Sequence, residues 1–139
     1  MRVVFINENT LGHASYLVPY VQALNAHPEL GVTAQLMNAT PLPPELERRA
    51  NFSVRGLRQW GLDFAAARWR LVVSRHVRTQ LEELRRGEEV HAIVANTQSV
   101  GLELAELAAS LPVFVCMDAT FEQLARSPWF APNAPSRWL

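Results

Sequence analysis

The chain has 139 residues, 49% of them hydrophobic, enough to bury the core of one domain; a small scaffold stapled by disulfides or metal is excluded. With 9% aromatic and 19% charged residues it reads as a folded soluble protein, and no apolar run reaches the roughly 18 residues of a membrane span. The formal net charge is zero, yet all thirteen basic residues are arginine; without lysine there is neither the ammonium of a phosphate-binding P-loop nor the amine of Schiff-base catalysis.

In chain order, Arg2–Asn7 is a β-branched apolar run that predicts a strand buried on both faces, as in a parallel sheet. Asn7, Glu8 and Asn9 interrupt it too early for a secretory signal. After Gly12, the spacing of Tyr16, Leu17, Tyr20, Val21 and Leu24 predicts a helix that stops at Pro28, with Pro19 costing a hydrogen bond and kinking it. A weaker second strand is expected over 32–37, and three prolines make 39–44 a loop. No glycine or proline occurs from Leu62 to Arg86. There Leu62, Ala65, Trp69, Val72, Val73, Val77 and Leu84 form one helical stripe, and Arg68, Arg75, Arg78, Arg85 and Arg86 the opposite face, with Gly87 ending the helix. A third strand is expected over 90–95, a short helix over 101–110 and a fourth strand over 113–117. The alternation predicts an α/β fold: a Rossmann-like parallel sheet with helices on both faces. That domain is expected to span 1–127. Residues 128–139, with three prolines and Trp129, Phe130 and Trp138, read as a tail leading into a further part of a longer protein.

Between Arg48 and Arg78 lie eight arginines and one acid, Asp63, a net of +7 that leaves −7 for the rest. Such asymmetry is either a site for an anionic partner, a membrane surface included, or a solvated face paired with acids from elsewhere in the fold. No nucleic-acid-binding module accompanies it, so nucleic acid is not an expected partner. His13, His27, His76 and His91 are scattered without zinc spacing, and no metal or cofactor is expected. His76 falls on the apolar helix face as a core or interface residue, and Cys116 is expected as a packed, inert thiol in the fourth strand. This single cysteine cannot form an internal bridge, which fits the cytoplasm. Neither G-x-G-x-x-G nor G-x-S-x-G occurs, so the signals of dinucleotide binding and of a hydrolase elbow are lacking.

In an open parallel sheet, ligands bind outside the carboxyl ends of the strands. Three strands here end in polar clusters: Asn7, Glu8, Asn9, Thr10, Gly12 and His13 after the first, Asn96, Thr97, Gln98 and Ser99 after the third, Asp118 and Thr120 after the fourth. Any one of these residues has an alternative role in capping a helix or closing a turn. Three clusters on one edge point to a polar pocket. Glu8 and Asp118 could pair as two carboxylates, although hydrogen bonding to loop backbone accounts for them more simply.

Three segments carry a family resemblance: V-V-F-I-N-E-N-T-L-G-H-A-S-Y-L at the first strand, H-A-I-V-A-N-T-Q at the third and V-F-V-C-M-D-A-T-F-E-Q-L at the fourth. In order and spacing they resemble the N-terminal domain of GT-B glycosyltransferases of the retaining family 4 type. The resemblance implies a two-domain hexosyltransferase whose C-terminal half holds the nucleotide-sugar donor and whose N-terminal half, this chain, mostly binds the acceptor and is inactive alone. It assigns substrate binding to Gly12, His13, Asn96, Thr97, Gln98, Asp118 and Thr120, with no metal and no catalytic residue identified. The family position matching Asn96 is often a histidine that touches the transferred sugar. An amide there can bond a hydroxyl but cannot take a proton. His91 stands where an aspartate is common. The alternative is a free-standing, non-catalytic α/β module that contacts an anionic ligand or membrane surface through the arginine-rich middle. Either reading places the chain in the cytoplasm, the second at the inner face of the membrane.

Overall fold

Arg2–Asn7 forms β1, and every residue after Arg2 in it is buried because the strand has neighbours on both edges and both faces. The computed structural model describes residues 1–9, 13–52, 64–97 and 99–116. β2 (Thr33–Asn38), β3 (Ala92–Ala95) and β4 (Val113–Val115) complete a four-stranded sheet in the order β2-β1-β3-β4, with every pairing parallel. The chain therefore has a Rossmann-like α/β fold, as its alternating pattern predicts. The expected boundaries shift by one or two residues, and Met117 lies outside the described residues.

Right-handed crossovers dictate which face each connection covers. β2 lies to one side of β1, so α1 (His13–Ala26) packs on one face of the sheet; β3 and β4 lie to the other side, so the remaining connections cover the opposite face. Two separate cores result. Leu17 and Val21 of α1 close over Val3, Phe5, Ala34 and Ala92. On the other face Val73, Val77 and Leu81 of α3 (Ala65–Gly87) meet Val4, Ile6, Ile93 and Ala95. Between β2 and α3, Pro44–Ala50 forms the short helix α2, with Pro44 at its first position, Glu45 and Glu47 in its first turn and Arg48 and Arg49 in its last. That charge order complements the helix dipole.

Several expectations need correction. Pro19 does lie inside α1, but Tyr16 and Tyr20 leave the apolar stripe and are 48% and 54% exposed; Tyr20 touches Phe5 edge-on, ring centroids 5.6 Å apart. The expected helix over 101–110 is two 3₁₀ turns, Leu102–Leu104 and Leu107–Ala109. Its length is short and Pro112 bars continuation, so the tighter i→i+3 turns prevail. Gly87 ends the helix as expected, as its last residue. Cys116 follows β4 and is exposed, not packed. His76 is half-buried rather than a core residue, and burial lowers its pKa from the ordinary histidine value, against a smaller opposing pull from Glu83.

β2 is an edge strand, and its free edge is partly occupied by a side chain. The Asn25 amide donates to the Ala34 carbonyl and accepts from the Ala34 N–H, both at 2.8 Å, as a neighbouring strand would. Among the described residues no helix is long and apolar enough to cross a membrane.

Candidate functional site at the carboxyl edge of the sheet

Three adjacent strands reach their carboxyl ends at asparagine. Asn7 ends β1, Asn38 ends β2 in register beside it, and Asn96 directly follows β3. Parallel pairing brings these three amides side by side, and they form a chain of hydrogen bonds. Asn7 Nδ2 donates to Asn38 Oδ1 at 3.1 Å, and Asn96 Nδ2 donates to Asn7 Oδ1 at 3.1 Å. Asn7 and Asn96 are buried, at 2% and 5% exposure.

The loop leaving β1 is clamped by this array. The Glu8 N–H donates to Asn96 Oδ1 at 3.1 Å, and the Glu8 carbonyl accepts from the Thr40 hydroxyl at 2.7 Å. The Asn9 N–H donates to Asn7 Oδ1 at 3.0 Å, which turns the chain sharply. Asn9 itself sits at φ 55°, a left-handed conformation that asparagine tolerates better than most residues. The Glu8 carboxylate, 4% exposed as a residue, accepts from the Thr97 hydroxyl. Backbone groups of Glu8 and Asn9 thus have side-chain partners from the end of β1 and from the segments after β2 and β3, which holds this part of the carboxyl edge in one arrangement.

Of the residues expected to bind substrate, Asn96 and Thr97 stand in this cluster, and His13 is the first residue of α1. Gly12, Gln98, Asp118 and Thr120 lie outside the described residues, so a pairing of Glu8 with Asp118 falls there too. The Glu8 carboxylate, expected to bond loop backbone, instead accepts from the hydroxyl of Thr97, a side chain of the loop after β3. Asn38 and Thr40 join the cluster without any expectation from the sequence. The signal that points to them is Asn38 at the end of the weaker second strand, matching Asn7 at the end of the first. His91 belongs to the opposite, amino edge, where its Nδ1 accepts the Arg2 N–H at 3.1 Å. It has no place in the candidate site.

Chemically the cluster offers neutral amides, one carboxylate and hydroxyls. Such groups serve as paired donors and acceptors for hydroxyl-rich molecules. Among the described residues no group of three histidine, cysteine, aspartate or glutamate side chains could hold a metal ion. Comparison with protein-family models, with curated proteins and with solved structures yields no match.

Proposed function

We infer that this chain is the acceptor-side half of a retaining GT-B glycosyltransferase, which moves a sugar from a nucleotide-sugar to an acceptor. The observation that carries the reading is the amide array Asn7–Asn38–Asn96, with Glu8 and Thr97 beside it, on the carboxyl edge of a parallel sheet. That edge is where open α/β sheets bind ligands, and the groups gathered there are those that recognise sugar hydroxyls. The resemblance of the β1, β3 and β4 segments to family 4 enzymes points the same way.

In such a reaction the leaving diphosphate helps to deprotonate the acceptor, so the protein's contribution is positioning and charge stabilisation. A loop held this way suits that role, because the clamp on Glu8 and Asn9 holds the acceptor's polar partners in one geometry. The reading implies a cytoplasmic protein and a donor bound mainly by a second domain. Its test is the full-length protein encoded by the gene, incubated with a panel of nucleotide-sugars and sugar or lipid acceptors, with nucleoside diphosphate release and glycoside formation followed by mass spectrometry. Transfer is expected, with kcat/KM falling on the order of 10- to 100-fold in Thr97→Val, as loss of a polar contact in a positioned site does. Absence of both donor hydrolysis and transfer across the panel overturns the reading.

A further inference from the structure

Five of the eight arginines of the middle segment fall into two groups; Arg55 and Arg58 lie outside the described residues. Arg75 and Arg78 on α3 pair with acids elsewhere in the fold: Arg78 bonds Glu82 at 2.9 Å and reaches Glu103 and Glu106 on and between the 3₁₀ turns, and the largely exposed Arg75 reaches Glu103 at 3.2 Å. For these two guanidiniums the solvated face paired with acids from elsewhere in the fold is what is seen.

Arg48, Arg49 and Arg68 are placed differently. With Glu45 and Phe52 they line an open cavity of about 610 Å³ between α2 and α3. Among the described residues, Glu45 is the one carboxylate in that lining. Arg48 and Arg49 are exposed neighbours in the last turn of α2, and neither has an ion-pair partner among the described residues. Arg68 is fixed on the opposite wall: it donates to the Phe52 carbonyl, and its guanidinium lies 5.8 Å from the Phe52 ring centroid. None of these five residues belongs to the amide array.

We propose that this cavity is a binding site for a phosphate monoester, with the phosphate held between Arg48, Arg49 and Arg68 and the organic part laid against Phe52. The chemistry is that of the guanidinium fork. Each arginine presents planar, paired N–H donors that match two oxygens of a tetrahedral oxyanion. Arginines on two walls approach such an anion from two sides, which a planar carboxylate ligand does not exploit. Phe52, 59% exposed, supplies an apolar surface beside the charge. Glu45 adds one negative charge to the described lining, which favours a ligand that brings its own charge to the Arg48 and Arg49 side. The site stands whether or not the chain belongs to a glycosyltransferase.

The same headgroup chemistry occurs in a soluble phosphate ester and in an anionic lipid, so the test has two arms. Isothermal titration with phenyl phosphate and with inorganic phosphate at low salt measures the soluble arm. Sedimentation with phosphatidylcholine vesicles, with and without phosphatidic acid, measures the lipid arm. Saturable binding is expected in at least one arm. It should weaken about tenfold or more in Arg48→Gln/Arg49→Gln and in Arg49→Glu alone, and change by less than about twofold in Arg75→Gln, whose arginine is internally paired. Phe52→Ala should weaken phenyl phosphate more than inorganic phosphate. Capture by phosphatidic acid vesicles with little affinity for phenyl phosphate identifies a lipid headgroup, and the reverse a soluble ester. No binding in either arm, or equal binding by wild type and the Arg48/Arg49 variants, overturns the proposal.

Discussion

Asn96 uses both ends of its amide on β1 and its loop, accepting from the Glu8 N–H and donating to Asn7. Truncation to alanine leaves the buried Glu8 N–H without its partner and removes one of the two donors to Asn7 Oδ1, which keeps the Asn9 N–H; the unpaired donor costs about 1–3 kcal/mol. Urea unfolding of Asn96→Ala should show that loss, with the midpoint shifted and the slope unchanged. His76 gives a second prediction at this scale. Its folded pKa lies below the unfolded value of about 6.5, so the unfolded chain binds the extra proton more readily. Its contribution to stability is therefore present above that pH and lost as pH falls toward the lowered folded pKa. Unfolding midpoints measured from neutral to mildly acidic pH should decline over that window, and His76→Gln should flatten the decline. Single residues are legible in the sequence where a strong strand precedes them. Asn96 and Thr97 follow β3, whose apolar run is plain. Asn38 and Thr40 follow a weaker strand and lead into a proline-rich loop, and a local pattern cannot register them beside Asn7.

At the level of elements, sequence periodicity identifies the long and regular pieces and loses the short ones. α3 is readable because 23 residues repeat its stripe several times, yet the stripe omits two fully buried members, Leu81 and Ser74. Leu81 is an ordinary core residue, and Leu81→Ala should cost about 2–5 kcal/mol in thermal or urea unfolding. Ser74 is illegible because serine in a helix usually faces water. Here its hydroxyl donates to the Val100 carbonyl at 3.0 Å and accepts the Glu103 N–H at 2.7 Å, tying the 3₁₀ turns to α3. That contact captures backbone groups that a regular helix start would otherwise need to cap. Ser74→Ala should cost about 1–3 kcal/mol, with hydrogen exchange accelerating over 100–105 more than over β1. α2 escapes notice for a simpler reason. Seven residues span only two turns, too few for a period, and the prolines before it read as loop although Pro44 is well suited to a first helical position.

For the molecule as a whole, the strand order and the rule of right-handed crossovers together set which face each connection covers, and the order sets which strand ends meet. β1 and β3 are the central pair, so the ends of β1, β2 and β3 meet at one edge and the polar residues after them become neighbours. The alternation of apolar strands with polar strand ends is visible in the sequence; the clamp it builds is not, because it depends on loop-to-loop hydrogen bonds between residues 30 to 90 positions apart. Charge shows the same limit. The +7 segment is plain from counting, but which arginines are spent on internal acids and which line a cavity depends on the packing of α2, α3 and the 3₁₀ turns.

If the carboxyl edge around Asn7, Glu8, Asn96 and Thr97 receives a hydroxyl-rich acceptor, sugars should perturb that edge and no other. Titration of the ¹⁵N-labelled protein with a panel of mono- and disaccharides, followed through backbone amide shifts, reads this out residue by residue. Saturable shifts are predicted at Glu8, Asn9, Ala39, Asn96 and Thr97, with Arg2, Gly31 and His91 at the amino edge unmoved. Saturating sugar that leaves the first group still, or that moves the amino edge instead, contradicts the acceptor-site reading.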